Sequence, residues 1–278
     1  MIHKCLIIIV TYNSEKHIQW AVDGLSHSKN NLTIRIVDSG SKNTDYLDRL
    51  ISVHNVEIIK EENIGFVAGN NKALYDAEKY DWVLFLNPDA RIDFDKFDLL
   101  LDICSDRNMA HAGIFSVPLV RFDIDKKLPL EVMDSMGIAC SSIGRWYDIK
   151  SNDALVSPKD TISSVDAVCG AFMMIRVKAL QQCLDKSGKI GFERSYHMYK
   201  EDIELSLRFK KKGWDIKLVN SLNAYHCRGW NSARNSVPYW ARLNSAVNDL
   251  DIASRYKLRA LPYAIAKYIW VRFFEKKQ

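Results

Sequence analysis

The sequence predicts an α/β fold in which a parallel sheet is covered by helices on both faces. Short apolar runs alternate with helix-like stretches through the first half of the chain, which is the pattern of βαβ units. A short polar turn follows each apolar run and marks the end of a strand. The chain has 278 residues, of which 47% are hydrophobic, and this suits one large domain with its own core.

The first half is predicted to contain four strands with helices between them. Asn87-Pro88 stops the fourth strand, because proline cannot donate to a sheet ladder. Ser14 is predicted to cap the first helix, which extends to about Ser28. The other helices are residues 43–53 and 66–79. The predicted strands are Cys5–Val10, Leu32–Val37, Val56–Lys60 and Trp82–Leu86.

The second half is less regular. Residues 111–176 combine strand-like pieces with a polar, glycine-bearing middle, which indicates a mixed sheet and an exposed loop. Lys200–Lys212 is a predicted helix, because its apolar residues pair four positions apart and Gly213 follows as a stop. Residues 238–256 are also predicted to be helical, and residues 259–277 form a basic, aromatic tail.

Composition and charge argue against several classes of protein. A formal net charge of +5 is too small to indicate nucleic-acid binding. No run approaches the roughly 18 apolar residues of a transmembrane helix, and the N-terminal apolar run ends at Thr11, too early for a signal peptide. The cysteines form no CxxC pair, so we interpret them as mostly buried, reduced thiols of a cytosolic protein rather than as disulfides or a zinc site. They are Cys5, Cys104, Cys140, Cys169, Cys183 and Cys227.

Polar clusters follow the predicted strands of the first half at the point where each strand ends. In a parallel sheet these ends meet at one edge, which is where open α/β sheets bind ligands. The sequence therefore predicts a binding site at this edge. The clusters are Thr11-Tyr12-Asn13, Asp38-Ser39, Asn63-Ile64-Gly65 and Asn87-Pro88-Asp89.

Asn87-Pro88-Asp89 is a candidate cation site. A carboxylate on a tight turn can reach a divalent cation, which in turn neutralises a diphosphate. The same tripeptide is also an ordinary turn former, and both interpretations stay open at this point. His226 follows a predicted strand and is a candidate second ligand beside Asp89, although a lone histidine is more often a packed or surface side chain.

Three other segments carry candidate site residues. Glu201-Asp202 lies at the start of the predicted helix Lys200–Lys212. Acids at this position either complement the helix dipole or supply a general base for an acceptor hydroxyl. Residues 63–71 place glycine and asparagine at a strand-to-helix junction, which suits phosphate but lacks the GxGxxG of dinucleotide-binding folds. Cys169-Gly170-Ala171 is a small-residue turn that serves equally well as a packing corner.

Taken together, these motifs resemble family 2 of the inverting glycosyltransferases, and within it the rhamnosyltransferase-like branch that builds bacterial surface polysaccharides. The resemblance covers roughly residues 4–250 and rests on the order and spacing of the set. The motifs are Val10-Thr11-Tyr12-Asn13, Val37-Asp38-Ser39-Gly40-Ser41, Asn63-Ile64-Gly65-Phe66, Leu86-Asn87-Pro88-Asp89-Ala90, Cys169-Gly170-Ala171-Phe172-Met173, residues 198–208 around Glu201-Asp202, and His226.

The resemblance implies a GT-A fold, in which a Rossmann-like mixed central sheet is flanked by helices and followed by a C-terminal helical appendage. The expected glycosyltransferase domain is residues 1–250. Its nucleotide-binding half is residues 1–110, and its acceptor and catalytic half is residues 111–250. Residues 251–278 are the expected tail.

The resemblance also implies a role for each motif. Asp89 and His226 are the implied ligands of Mg²⁺ or Mn²⁺. Asn87 stands where the family's Asp-x-Asp motif has its first Asp, so it is expected to act through water or the donor. Asp202 is the implied catalytic base, with Glu201 as its partner. The implied donor-binding residues are Thr11, Tyr12, Asn13, Asp38, Ser39, Asn63, Gly65, Asn71, Asn87, Cys169 and Gly170.

The implied reaction is a single displacement with inversion at the anomeric carbon. The implied donor is dTDP-rhamnose, with UDP-hexoses as the alternative, and the acceptor is a glycan or lipid-linked oligosaccharide, as in O-antigen and lipopolysaccharide biosynthesis. Two other classes stay open. A nucleotidyltransferase would carry a glycine-rich, basic loop where this chain has Thr11-Tyr12-Asn13-Ser14-Glu15, and a sugar-nucleotide-binding component of an assembly complex would lack turnover.

The C-terminal tail is a candidate membrane contact. Residues 255–278 hold seven Lys or Arg, one acid and six aromatics, which suits an anionic lipid surface and a peripheral position at the inner face of the plasma membrane. The alternative is a helix packed on the domain, and Pro262 is expected to interrupt a long helix. Further candidates for contact with acceptor or diphosphate are Trp146, Tyr147, Arg228, Trp230, Arg234 and Arg242.

Overall fold

The computed structural model describes residues 2–50, 55–155, 160–228 and 237–275. In chain order the strands are β1 (Lys4–Thr11), β2 (Asn31–Ser39), β3 (Val56–Glu61), β4 (Trp82–Leu86), β5 (Ala90–Arg91), β6 (Ala112–Ser116), β7 (Leu119–Asp123), β8 (Leu128–Ser135), β9 (Ile138–Cys140), β10 (Trp146–Asp148), β11 (Ile162–Ser164), β12 (Phe172–Arg176), β13 (Asp215–Val219) and β14 (Ala224–His226). The α-helices are α1 (Ile18–Asp23), α2 (Asp45–Asp48), α3 (Gly65–Lys72), α4 (Phe94–Ser105), α5 (Val177–Leu180), α6 (Glu201–Lys211), α7 (Tyr239–Tyr256) and α8 (Leu261–Ile269).

An eight-stranded mixed sheet lies at the centre, in the order β11-β13-β6-β12-β4-β1-β2-β3. As predicted, β4, β1, β2 and β3 are parallel. Strand β12 is antiparallel to both β4 and β6, which makes the sheet mixed. A smaller sheet, β5-β14-β7-β8, and the β9–β10 hairpin adjoin it. Because β5 directly follows the turn after β4, the smaller sheet begins at the edge where the site was predicted.

Strand β1 divides the core into two layers. Ile7 and Ile9 pack on one face with side chains of α1, α2 and α4. Leu6 and Ile8 pack on the other face with side chains of α3, α5 and α6. All four side chains are fully buried, as expected for a central parallel strand with an unbroken apolar run. The prediction of a sheet covered on both faces is confirmed.

The cysteines contribute to this core as free thiols. Cys5, Cys104 and Cys183 are buried, and Cys140, Cys169 and Cys227 are half-buried. The prediction that none of the six is paired in a disulfide is confirmed, and burial holds for three of them.

Ser14 does not cap the first helix, so this prediction is wrong. α1 begins at Ile18, and its N-cap residue is His17. The Ser14 hydroxyl accepts a hydrogen bond from the backbone N–H of Tyr12 at 3.2 Å instead. A serine hydroxyl can close a local turn as well as a helix end, and here the turn after β1 uses it.

Three predicted helices are shorter than the sequence indicated. α1 ends at Asp23 and not near Ser28. Residues 66–79 divide into α3 and a short 3₁₀ turn at Ala77–Lys79, because glycine and asparagine within α3 are weak helix formers. Residues 43–53 contain α2, which covers Asp45–Asp48; residues 51–54 lie outside the described part of the chain.

The C-terminal tail packs one face on the domain. α8 begins at Leu261, so Pro262 lies in its first turn, where a missing N–H is harmless. The tail is not one long helix, as expected from Pro262: α7 ends at Tyr256 and a 3₁₀ turn, Leu258–Ala260, precedes α8. Ala264 packs with Ala253 of α7, and α7 crosses residue 250 without a break. A π-helical turn, Trp270–Phe274, follows α8. Among the described residues, no helix is long and apolar enough to cross a membrane.

Candidate active site

The loops that follow β1 and β2 are joined by Asp38. Its carboxylate accepts a hydrogen bond from Thr11 Oγ1 at 3.0 Å and another from the backbone N–H of Ser41 at 3.0 Å. Asp38 is only 1% exposed, so its observed role is to fix the two loops against each other. The contact of Asp38 and Thr11 with a nucleotide stays a prediction.

Tyr12 and Asn13 lie at the open edge of these loops. Asn13 has a φ of 50°, in the left-handed region that asparagine tolerates. Its side-chain oxygen accepts a hydrogen bond from Lys42 N at 2.9 Å, and its own N–H donates to Ser41 Oγ at 2.7 Å. The Tyr12 ring is left 53% exposed. An exposed aromatic ring at a strand end is suited to stacking on a nucleotide base.

Gly65 joins the end of β2 to the segment before α6. Its N–H donates to Ser39 Oγ at 3.1 Å. A Cβ on Gly65 would lie 2.3 Å from Cε1 of His197, and its φ is +81°, so only glycine fits. Asn63 is exposed beside it. The predicted donor residues Ser39, Asn63 and Gly65 are therefore brought together.

Asn71 ties α3 to the same segment. Its amide donates to the carbonyl of Phe192 at 3.0 Å, and its side-chain oxygen accepts from Phe192 N at 2.8 Å. Both the nitrogen and the oxygen of the Asn71 side-chain amide thus have hydrogen-bond partners within the protein. The predicted contact of Asn71 with the ribose-diphosphate stays a prediction.

The turn after β4 is fixed on two sides. The backbone N–H of Asn87 donates to Ala171 O at 3.0 Å, and Asp89 O accepts from Cys227 N at 2.9 Å. The turn therefore lies between the 169–171 segment and the end of β14. The side-chain oxygen Oδ1 of Asn87 is buried and has no hydrogen-bond partner among the residues described. Such an orphaned acceptor indicates a place for a ligand or a water.

His226 lies beside this turn, at the end of β14. Its Nε2 is 3.4 Å from Asp89 Oδ1, and its Nδ1 is 2.7 Å from Asp134 Oδ2. Burial alone would lower the pKa of His226, but hydrogen bonds to Asp134 and Asp89 outweigh it and raise the pKa to about 9. The two predicted cation ligands are therefore neighbours.

Asp134, which sequence reasoning missed, holds His226 in this orientation. It is the next-to-last residue of β8, in the smaller sheet, and is 2% exposed. Its other oxygen accepts from Arg228 Nη1 at 2.7 Å, and Arg121 Nε lies 3.6 Å away. Burial raises the pKa of Asp134, but the hydrogen bond to His226 and the nearby cations lower it overall. A carboxylate on the far imidazole nitrogen is the usual support for a metal-binding histidine.

The Asp89–His226 pair fits a divalent cation that is shared with a diphosphate. Two ligand atoms about 2.1 Å from one ion are expected to lie near the 3.4 Å that separates Asp89 Oδ1 from His226 Nε2. The described residues contain no group of three or more His, Cys, Asp or Glu arranged to hold a metal. Mg²⁺ usually keeps waters and binds substrate phosphates beside one or two carboxylates, so a two-residue site suits it.

Glu201-Asp202 opens α6 next to the same segment. Asp202 Oδ2 accepts a hydrogen bond from Gly170 N at 2.9 Å. Burial raises the pKa of Asp202 against the lowering effect of that hydrogen bond. Because the neighbouring residue Ala171 receives the N–H of Asn87, Asp202 and the turn after β4 lie on two sides of Gly170-Ala171.

The backbone before the acid pair is strained and held in place. Tyr199 and Lys200 have φ values of 71° and 68°, and two successive left-handed residues other than glycine are uncommon. Asn248 of α7 donates to the carbonyl of Tyr199 at 2.7 Å. Burial, and then the charge of Asp202, raise the pKa of Glu201 to about 8. Its Oε2 is buried without a hydrogen-bond partner in the described chain.

Cys169 directly precedes Gly170, the residue that is hydrogen bonded to Asp202. Burial raises the pKa of its thiol, and the charges of Asp148, Asp202 and Asp134 raise it further. The charges of three carboxylates from different parts of the sequence therefore all act on one residue of the predicted donor segment.

Other predicted acceptor contacts have different surroundings. Trp146 is buried, with Lys257 Nζ 5.0 Å from its ring centroid, so it is a packed side chain and not a stacking platform for a sugar. Tyr147, beside it, is exposed. Arg242 lies 3.1 Å from Glu275 on the tail. Trp230 and Arg234 lie outside the described residues.

The chain is similar in sequence to a known protein family and to named members of it. The family model described as Glycosyl transferase family 2 matches residues 6–184. Rhamnosyltransferase WbbL of Escherichia coli (strain K12) is 29% identical over 230 residues, covering 79% of this chain and 82% of that protein. The N-acetylglucosaminyl-diphospho-decaprenol L-rhamnosyltransferase of Mycobacterium tuberculosis is 22% identical over 256 residues, covering 84% and 80%.

Solved structures share the fold at lower identity. GalNAc-T7 with UDP, GalNAc and Mn²⁺ superposes with a TM-score of 0.64 at 14% identity over 90% of this chain, which spans about half (48%) of that one. The mannosyltransferase PcManGT of Pyrobaculum calidifontis, with GDP-Man and Mn²⁺, gives 0.59 at 17% identity over 99% of this chain and 71% of its own. These neighbours are GT-A glycosyltransferases, which confirms the predicted fold.

Proposed function

The chain belongs to glycosyl transferase family 2, and we propose that it transfers rhamnose from dTDP-rhamnose to a glycan or lipid-linked acceptor, with inversion and with a divalent cation. One observation carries the proposal. Asp202 is hydrogen bonded to Gly170, and the turn that carries Asp89 is hydrogen bonded to the next residue, Ala171. The group proposed as base and the pair proposed as cation ligands therefore flank the same two residues.

The named relatives support the finer parts of this proposal. Two of them are rhamnosyltransferases, which favours rhamnose, and one of these is named for a diphospho-decaprenol substrate, which favours a lipid-linked acceptor. GalNAc-T7 and PcManGT were solved with Mn²⁺, which favours a cation in this site.

Asp89 and His226 are the residues proposed to hold Mg²⁺ or Mn²⁺. The bound cation would supply positive charge to stabilise the departing nucleotide diphosphate. Asp134 orients His226 by accepting the Nδ1–H, which leaves Nε2 directed at Asp89. Asn87 Oδ1, buried and without a partner in the described chain, is proposed to accept a hydrogen bond from a water or from the donor.

Asp202 is proposed to act as the general base. It takes the proton of the acceptor hydroxyl as that oxygen bonds to the anomeric carbon, while the bond from this carbon to the diphosphate oxygen breaks. Attack from the face opposite the diphosphate inverts the configuration. The raised pKa of Asp202, caused by burial, makes its carboxylate a stronger base than an exposed aspartate.

A panel of nucleotide sugars tests the donor. Thermal unfolding is measured with dTDP-rhamnose, UDP-glucose, UDP-GlcNAc and GDP-mannose, each with and without Mn²⁺. A ligand that binds the folded chain stabilises it by RT ln(1 + [L]/Kd), so the true donor should raise Tm most, and more with Mn²⁺. A larger shift with a UDP-hexose would identify the alternative donor.

Release of nucleotide diphosphate distinguishes a transferase from a nucleotidyltransferase, which releases pyrophosphate, and from a binder without turnover.

The tail is proposed to rest on an anionic membrane surface. Trp270 and Phe274 stack with ring centroids 5.5 Å apart, and both are more than half exposed. Ile265, Ile269 and Phe273 are exposed as well. An apolar face beside several Lys and Arg side chains is typical of segments that lie in the headgroup layer. This position would bring the site toward a lipid-linked acceptor.

A further inference from the structure

Asp148 and Arg228 form an ion pair that the reaction proposed above does not use. Asp148 is the last residue of β10, and Arg228 follows β14. Arg228 Nη2 lies 3.5 Å from Asp148 Oδ2, while Nη1 donates to Asp134 at 2.7 Å and to Ser151 Oγ at 3.0 Å. The guanidinium is therefore held from the Asp134 side, and its other edge faces Asp148.

The pair is connected to the segment that binds the proposed base. Asp148 and Asp202 are both close enough to raise the pKa of the Cys169 thiol, which burial raises first. The charge of Asp202 also adds to burial in raising the pKa of Asp148. The strand pairing gives the same placement: Asp148 pairs with Ile138 across the β9–β10 hairpin, and Ile138 bridges to Ala167, three residues before Gly170, whose N–H donates to Asp202. Asp148 and Asp202 therefore both adjoin the segment of residues 167–170.

The pair is also accessible, unlike the Asp134 carboxylate that it adjoins. The side chains of Arg228 and Asp148 are 34% and 26% exposed, whereas that of Asp134 is 3% exposed. At 3.5 Å, Asp148 is too far from Arg228 for a strong hydrogen bond, so its oxygens keep acceptor capacity. A fixed guanidinium edge and a carboxylate side by side present donors and acceptors in the pattern that neighbouring sugar hydroxyls need.

We infer that Asp148 and Arg228 form a subsite for the acceptor, which binds a sugar residue through adjacent hydroxyl groups. Asp148 accepts hydrogen bonds from the hydroxyls, and Arg228 donates to one of their oxygens. The subsite holds the acceptor so that a further hydroxyl faces Asp202. This inference rests on the proposed transferase function and specifies the chemical class of its acceptor.

The subsite is tested by combining acceptors that lack one hydroxyl with substitutions in the chain. Transfer is measured for the full chain with octyl glycosides of GlcNAc, galactose and rhamnose, and with analogues that each lack one hydroxyl. With the wild-type chain, kcat/KM should be roughly 10- to 100-fold lower for one deoxy analogue than for its parent glycoside, as expected for the loss of a hydrogen bond to a charged group. Asp148→Asn should lose a similar factor on the parent glycoside through its KM, and should no longer discriminate against that analogue.

Control variants and donor measurements separate the outcomes. Asp153→Asn removes a half-exposed carboxylate that is paired with Lys150 and should keep the wild-type discrimination. Arg228→Lys is the second variant, to be used if Asp148→Asn fails to fold. It should reduce the loss of kcat/KM that the wild-type chain shows with the deoxy analogue. Equal penalties in the wild-type chain and the variants overturn the subsite. Donor hydrolysis without transfer to any of the glycosides also overturns it, yet leaves the proposed donor chemistry standing.

Discussion

Asp134 Oδ2 lies 2.7 Å from Nδ1 of His226, although the two residues are 92 positions apart in the sequence. This contact fixes which imidazole nitrogen faces the turn after β4, because the nitrogen that donates to Asp134 cannot bind a cation. Asp134 is in turn held by Arg228, so the orientation of His226 depends on a buried carboxylate with two further partners. The cation site is therefore a property of the smaller sheet as much as of the motif at residues 87–89.

Replacing Asp134 with asparagine should weaken cation binding. Asp134→Asn keeps the shape of the side chain but removes the charge that orients His226, and loss of such an outer partner typically costs roughly 10- to 100-fold in metal affinity. The measurement is a Mn²⁺ titration followed by electron paramagnetic resonance, with dTDP present. Asp125→Asn, which removes an exposed carboxylate paired with Lys16, is the matched control. Unchanged Mn²⁺ affinity in Asp134→Asn would contradict the assigned role.

Replacing Asp202 with asparagine should abolish most of the turnover. Asparagine can still accept the hydrogen bond from Gly170 N but cannot take a proton, so kcat should fall by roughly 10²- to 10⁴-fold. Release of nucleotide diphosphate measures the change. Asp215→Asn serves as control, since its carboxylate is exposed and paired with Lys217. Near-wild-type turnover of Asp202→Asn would remove it from the chemistry.

The sequence predicted those parts of the molecule that local pattern determines. The strand Trp82–Leu86 has the predicted bounds, because five apolar residues buried on both faces are bounded by Asp81 and Asn87. The pairing of Asp89 with His226 was implied by the resemblance to family 2 and not by local pattern, and the structure brings the two side chains to 3.4 Å.

Asp134 and Asp148 could not be found in this way. Asp134 is the next-to-last residue of β8 and Asp148 is the last residue of β10. Both strands lie outside the main sheet, where a polar residue is the ordinary sign of a solvent-facing position. β8 pairs with β7 with register shifts that no turn motif predicts, and Asp134 is buried in this arrangement. The function of such residues depends on tertiary contacts, so only the structure reveals them.

Glu201→Gln should stabilise the protein at high pH. Burial and the nearby Asp202 raise the pKa of Glu201 to about 8 in the folded chain, compared with about 4.3 for an exposed glutamate. The folded chain therefore binds more protons between these values, and the free energy of unfolding falls as the pH rises through that window. Glutamine cannot ionise and escapes this loss. We expect Tm to rise by several degrees at pH 9, since roughly 1 kcal/mol shifts Tm by about 2–4 °C at this size.

The Tm gain from Glu201→Gln should be clearly smaller at pH 5, where the folded wild-type chain keeps Glu201 protonated. Glu131→Gln, at an exposed position of β8, controls for the loss of one carboxylate. Equal Tm changes at pH 5 and pH 9 would mean that Glu201 is not held neutral by its surroundings.

The double substitution Phe273→Ser and Phe274→Ser should reduce binding to anionic vesicles. The two rings are 71% and 68% exposed, so their loss should leave the fold intact while removing apolar area that would enter the lipid. A loss of roughly 10-fold or more in vesicle affinity is expected from that area. Co-sedimentation of the full chain with phosphatidylglycerol vesicles measures it, and neutral phosphatidylcholine vesicles test the charge requirement. Leu99→Ser, at an exposed apolar position of α4, should bind as the wild-type chain does. If the double variant binds equally well, the tail is only a packing element, and the contact with lipid lies elsewhere or does not form.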